Sequence, residues 1–175
     1  MSGNKELSDI NILEKVNFKE LKELYLAYNN ISDIKVLEKV KFEKLEILYL
    51  SRNEELSDIN ILEKVNFKEL KELDLSCNNI SDIKVLEKVK FEELEILDLS
   101  GNKLSDINIL EKVNFKELKE LYLSNNNISD IKVLEKVKFE KLEKLNLIGN
   151  EELSDYENSS IIKILKSSNH NLIID

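Results

Sequence analysis

The chain has 175 residues, 42% hydrophobic and 35% charged, with a formal net charge of −9. That composition suits a soluble globular protein, and its sign speaks against nucleic acid or an anionic membrane as partner, since both need a basic footprint. No apolar run approaches the roughly 20 residues that span a bilayer. The start, MSGNKELSDI, lacks a basic region followed by an apolar stretch. Cys77 is the single cysteine, so no intrachain disulfide is available. Together these features predict an intracellular, cytoplasmic setting.

In chain order, residues 1–20 read as the second half of a repeat, with Leu7, Ser8, Asp9, Ile10, Leu13, Val16 and Phe18 matching later copies. This half-repeat is expected to cap an open end of the core, because a terminal repeat otherwise leaves its apolar face in water. Residues 21–155 then carry six copies of one phrase, Leu-x-x-Leu-x-Leu-x-x-Asn, starting at Leu21, Leu45, Leu70, Leu94, Leu118 and Leu142. Within each phrase the alternation Leu-x-Leu predicts a half-buried strand with its leucines inward. Self-similarity at a fixed period predicts a solenoid, whose strands would stack as a parallel sheet. The asparagines Asn29, Asn53, Asn78, Asn102, Asn126 and Asn150 fall where the chain leaves the sheet. Their amides are suited to satisfying backbone groups there.

A second phrase follows, Ser-Asp-Ile-x-x-Leu-Glu-Lys-Val-x-Phe, running from Ser57 to Phe67 in one copy. Ser or Asp is expected to cap a short helix. Ile59, Leu62 and Val65, spaced by three, would share its inner face, with Glu63 and Lys64 in solvent. Phe18, Phe42, Phe67, Phe91, Phe115 and Phe139 form a column expected to stack as core. Asn53-Glu54-Glu55-Leu56 and Asn150-Glu151-Glu152-Leu153 are one residue longer than Asn102-Lys103-Leu104. A loop bulge would absorb the difference. Asn30, Asn79, Asn127 and Asn158 fit the glycosylation pattern but read as loop asparagines. After Asn150 the repeat decays. Residues 156–175 are expected to form a C-terminal cap, with an amphipathic helix carrying Ile161, Ile162, Ile164 and Leu165, and a last edge strand near Leu172 to Ile174. The whole of 1–175 would then be one domain.

The phrase Leu-x-x-Leu-x-Leu-x-x-Asn resembles the leucine-rich repeat family. The extension Asn78-x-Ile80-Ser81-Asp82-Ile83-x-x-Leu86 is similar to the subclass shared by protein phosphatase regulators and bacterial internalins. The resemblance implies an α/β fold: a curved solenoid with a parallel sheet on the concave face, short helices on the convex face and a ladder of asparagines. It also implies a protein-interaction scaffold, and transfers no individual functional residue.

The catalytic inventory is sparse. His170 is the only histidine and reads as a loop residue. A Cys77–His170 pair would need hydrogen-bond reach, roughly 3 Å, and the two lie many repeats apart. No phosphate-cradling glycine loop and no zinc-type cluster is present in the sequence, so neither cofactor nor metal is expected, nor an enzyme.

Variation between copies is uneven. The convex positions recur almost verbatim, whereas the outward strand positions change. Between the second and third leucines stand Tyr25, Tyr49, Asp74, Asp98, Tyr122 and Asn146, and just before the asparagine stand Tyr28, Arg52, Cys77, Gly101, Asn125 and Gly149. This face holds four of the five tyrosines and the only arginine, residue types enriched at binding hot spots. Tyr25, Tyr28, Tyr49 and Arg52 would form an aromatic patch. Asp74 and Asp98, with Glu72 and Glu95 beside them, would form an acidic centre. Tyr122, Asn125 and Asn146 would lie beyond. The expected partner is a protein or peptide with central basic groups and apolar groups towards one end, met by a monomer. Two other readings stand beside it: a secreted or surface adhesin of internalin type, and a repeat array without a dedicated ligand. The near-identity of alternate copies, INILEKVNFKELKEL and IKVLEKVKFEKLEIL, shows duplication of a two-repeat unit.

Overall fold

A computed structural model describes residues 2–137, 139–153, 156–168 and 172–174. The expectations for His170, and for the Ser154-Asp155 remnant of the repeat, fall outside them. Within the described residues, seven short strands form one open parallel sheet in sequence order. They are β1 (Glu23–Tyr25), β2 (Ile47–Tyr49), β3 (Glu72–Asp74), β4 (Ile96–Asp98), β5 (Glu120–Tyr122), β6 (Lys144–Asn146) and β7 (Ile173–Ile174). The first six come from the six phrases, and β7 is the expected edge strand. The register aligns equivalent residues: Tyr25, Tyr49, Asp74, Asp98, Tyr122 and Asn146 lie in one row across the sheet. Both leucines of each Leu-x-Leu are buried, from Leu24 and Leu26 to Leu145 and Leu147.

The return segments are 3-10 helices of one turn or so, such as Lys35–Glu38, Asn60–Glu63 and Lys84–Glu87. The spacing of three in Ile59, Leu62 and Val65, all buried, is the period of that tighter helix. The expected Ser or Asp cap takes the form of an aspartate turn just ahead of the helix, with no side-chain bond from the N-cap residue itself. Ile59 occupies the N-cap position, and Asp58 Oδ1 accepts the Asn60 N–H at 2.9 Å. The same two-residue turn recurs at Asp9, Asp33, Asp82, Asp106 and Asp130. The Glu-Lys pairs do not close on themselves but bridge successive coils. Lys39 meets Glu14 at 3.1 Å, Lys88 meets Glu63 at 3.1 Å and Lys136 meets Glu111 at 3.7 Å.

The phenylalanine column needs one correction. Phe42, Phe67, Phe91 and Phe115 are buried, but Phe18 is 54% exposed. A ring in this stack is covered by the coils on both sides, and Phe18 has a coil on one side only. Phe139 is half-buried, where the regular repeat gives way to helix α1 (Tyr156–Ser168). That helix packs on the Lys132–Glu135 turn, with Ile161 buried and Ile164 facing out.

The asparagines form a two-way ladder. Asn102 Nδ2 donates to the Leu75 carbonyl of the preceding coil at 2.9 Å and to its own Leu99 carbonyl at 3.0 Å. Its Oδ1 accepts the Ile80 N–H at 3.0 Å. Asn53, Asn78, Asn126 and Asn150 donate in the same way. The extra residue at Glu54-Glu55 is absorbed here. Asn78 Oδ1 takes the Asn53 N–H itself at 2.8 Å, instead of the N–H two residues on, and Leu56 is as buried as Ile80.

Candidate partner-binding face

Three rows of side chains cross the outer side of the sheet. The row before the strands alternates charge and pairs internally. Glu46 accepts from Lys22 at 2.6 Å and Lys71 at 2.7 Å, and Glu95 accepts from Lys119 at 2.6 Å. The two lysines hold the Glu46 carboxyl down at about 2. Glu95 therefore does not belong to the acidic centre. It aligns with Lys71, and its charge is met by Lys119.

The next row is Glu23, Ile47, Glu72, Ile96, Glu120 and Lys144. Its glutamates serve the tyrosines. Tyr25 Oη donates to Glu23 at 2.8 Å, Tyr49 Oη to Glu72 at 2.6 Å, and Tyr122 Oη to Glu120. These bonds raise the pKa of all three phenols, so the hydroxyls stay protonated.

The third row contains the predicted Tyr25, Tyr49, Asp74, Asp98, Tyr122 and Asn146. The rings of Tyr25 and Tyr49 meet edge to face, centroids 5.1 Å apart at 80°. Asp74 and Asp98 stand directly opposite each other on β3 and β4, about 4.8 Å apart by strand spacing. Each uses Oδ1 locally: Asp74 accepts the Ser76 N–H at 2.9 Å and its hydroxyl at 2.6 Å, and Asp98 accepts the Ser100 N–H at 2.8 Å. Among the described residues no cation pairs with either. Burial, with Asp74 nearby, pushes the Asp98 carboxyl up. Tyr49, Glu72, Leu73, Asp74, Ile96, Asp98 and Tyr122 line a shallow depression of about 140 Å³. Beyond it the Lys144 ammonium lies 5.0 Å from the Tyr122 ring centroid. Asn146 Oδ1 is engaged by the Ile148 N–H at 3.0 Å.

The remaining predicted residues, Tyr28, Arg52 and Asn125, lie at the edge where the strands end. The Arg52 guanidinium sits over the Tyr28 ring at 5.0 Å. The sequence did not reveal their backbone. Tyr28, Arg52, Cys77 and Asn125 have φ of 60, 55, 54 and 53°, as do Gly101 and Gly149 at 64 and 75°. Their N–H groups continue the ladder, for example Arg52 to the Ser76 carbonyl at 2.9 Å and Cys77 to the Ser100 carbonyl at 2.7 Å. Left-handed φ costs a residue with a Cβ about 1 kcal/mol, less for asparagine. The two glycines at this position were the available signal. They also leave room, because a Cβ on Gly149 would lie 2.3 Å from Asn125 Oδ1, and one on Gly101 3.1 Å from Cys77 Sγ. Among the small residues two before each asparagine, Ala27 and Ser51 are buried and present no surface.

Three stretches, 19–64, 68–112 and 116–160, match the family described as leucine rich repeats (2 copies). The chain belongs to the leucine-rich repeat family. Its solenoid is similar to internalin C2 of Listeria monocytogenes at 23% identity and a TM-score of 0.76, over 98% of this chain and 68% of that one. A leucine-rich repeat protein of Leptospira interrogans matches at 26% identity and a TM-score of 0.71, over 90% of this chain and 37% of that one. A plant peptide hormone receptor solved in complex with RGF2 matches at 21% identity and a TM-score of 0.60, over 83% of this chain and 22% of that one. Against curated protein sequences no significant match was found. Leucine-rich repeat proteins are in general non-enzymatic scaffolds for protein interaction. No helix among the described residues is long and apolar enough to cross a membrane.

Proposed function

We propose that this leucine-rich repeat chain binds a protein or peptide on the outer side of its sheet. The partner carries basic groups for the centre and apolar groups for the Tyr25–Tyr49 end. The observation that supports this reading is the pairing of variation across strands. A duplicated two-repeat unit would repeat one residue down each alternate column. Instead the units differ, and in two of the three the adjacent positions within a unit change to the same residue together: Tyr25 with Tyr49, then Asp74 with Asp98, while the third pairs Tyr122 with Asn146. Two carboxylates directly opposite each other weaken a sheet, so stability does not account for the second pair. The constancy of the convex side is a weaker argument, because its aspartates cap turns and its Glu-Lys pairs bridge coils.

The plant receptor with RGF2 shows a comparable fold in complex. In our reading the chain is a monomer in a cytoplasmic, reducing setting, where Cys77 stays a free thiol. The test is a pull-down from source lysate, comparing the parent, Tyr25→Ala/Tyr49→Ala/Asp74→Lys, and a convex control, Lys84→Ser. A partner retained by the control and lost from the face variant supports the reading. Equal retention by all three refutes it.

A further inference from the structure

Resting on that reading, we propose that the outer sheet face over β2 to β5 recognises a lysine side chain of an extended partner segment. The ammonium enters the depression between Tyr49 and Tyr122. The charge there is complementary and unanswered: Asp74 and Asp98 face each other with no cation on either among the described residues, and Glu72 and Glu120 lie in the adjoining row. A cation between the two aspartates removes the repulsion that the fold carries. The walls suit the rest of the side chain. Ile96 gives the four-carbon stem an apolar floor, and tyrosine rings stand at both ends. The chain already shows this chemistry at one wall, where Lys144 lies over Tyr122 from the β6 side. The opposite side, towards Asp98, is the side proposed here.

The hydrogen bonding selects lysine over arginine. The advantage of arginine is a fork that grips both oxygens of one carboxylate. At Asp74 and Asp98 one oxygen of each is already committed, to Ser76 and to Ser100. What remains is one Oδ2 on each of two neighbouring strands, about 4.8 Å apart. An ammonium, a compact donor with three N–H directions, can bridge two such single oxygens. The tyrosine hydroxyls compete little, since each donates to its own glutamate.

The test uses the full chain, ¹⁵N-labelled, titrated with N-acetyl-lysine methylamide, the arginine and norleucine counterparts, and ε-acetylated lysine. Lysine should shift the amides of Asp74, Ser76, Asp98 and Ser100 saturably, with a Kd on the order of millimolar. Arginine should bind at least about threefold more weakly, and the two neutral probes should leave those amides unmoved. Asp74→Asn/Asp98→Asn keeps the Oδ1 acceptors and so the fold. It should lose the lysine response at least about tenfold, a loss of 1.4 kcal/mol or more. Equal response to arginine or norleucine on these amides would refute lysine recognition and leave the docking face standing. No response to any probe would also refute it, while the pull-down decides the face independently.

Discussion

Replacing Asn102 with alanine tests the ladder at the middle of the stack. Three short bonds disappear: two from Nδ2 to the carbonyls of Leu75 and Leu99, and one into Oδ1 from the Ile80 N–H; a longer fourth, from Nδ2 to the Ser100 carbonyl at 3.3 Å, is lost with them. The losses are unequal. Each carbonyl keeps a second asparagine, Leu75 from Asn78 at 2.8 Å and Leu99 from Asn126 at 3.0 Å. These two losses are therefore ordinary hydrogen bonds, about 1 kcal/mol each. The Ile80 N–H has no substitute, and a buried orphan donor costs about 1–3 kcal/mol. The sum is about 3–5 kcal/mol, a large share of the 5–15 kcal/mol typical of a whole protein. Urea unfolding followed by far-UV circular dichroism should show the midpoint falling by about 2 M, for a slope of about 2 kcal/mol/M. A midpoint within about 0.3 M of the parent would mean that the ladder does not hold the coils together.

Four further outcomes follow from the outer face and its edge. Asp98→Asn should raise the melting temperature at pH 7. A carboxyl pushed above its ordinary 3.8 by burial weakens the fold once pH rises through its folded value. The gain should vanish near pH 3, where the parent is protonated in both states, and a gain of equal size at both pH values would refute the sign. Gly149→Ala should destabilise by more than about 1 kcal/mol, from positive φ plus the contact with Asn125. Arg52→Gly at the same backbone position should cost little, since relief of φ offsets the lost cation–π contact; parallel urea melts compare the two. In a carbon-detected NMR titration, Glu46 should titrate near 2, and Lys71→Gln should move that midpoint up towards the ordinary 4.5.

The leucines and asparagines were legible because each does one job in every copy. An alternation of two and a recurring polar residue at the turn leave little choice of architecture. The helix type was present in the spacing of Ile59, Leu62 and Val65, since three is the 3-10 period. Phe18 shows where column reasoning fails: a residue can match every copy and still lack a neighbour to cover it. The left-handed position was hidden for another reason. Four of its six residues are not glycine, and side chains there look like ordinary surface variation until the backbone is known. Glu95 was misplaced because its neighbour in sequence is not its neighbour in the sheet. The row is set by register, and register gives that place to Ile96.

Because Asp74 and Asp98 arrive together on one two-repeat unit, the sheet also works as a ruler with a fixed increment. Residues 67–69 and 115–117 are both Phe-Lys-Glu, so excising 70–117 joins two equivalent coils without a seam. The shortened protein would bring Tyr49 beside Tyr122 and cut the face by two strand spacings, about 10 Å. Insertion of a second copy would lengthen it by the same step. Reach along a ligand, in this architecture, is counted in whole units rather than adjusted residue by residue.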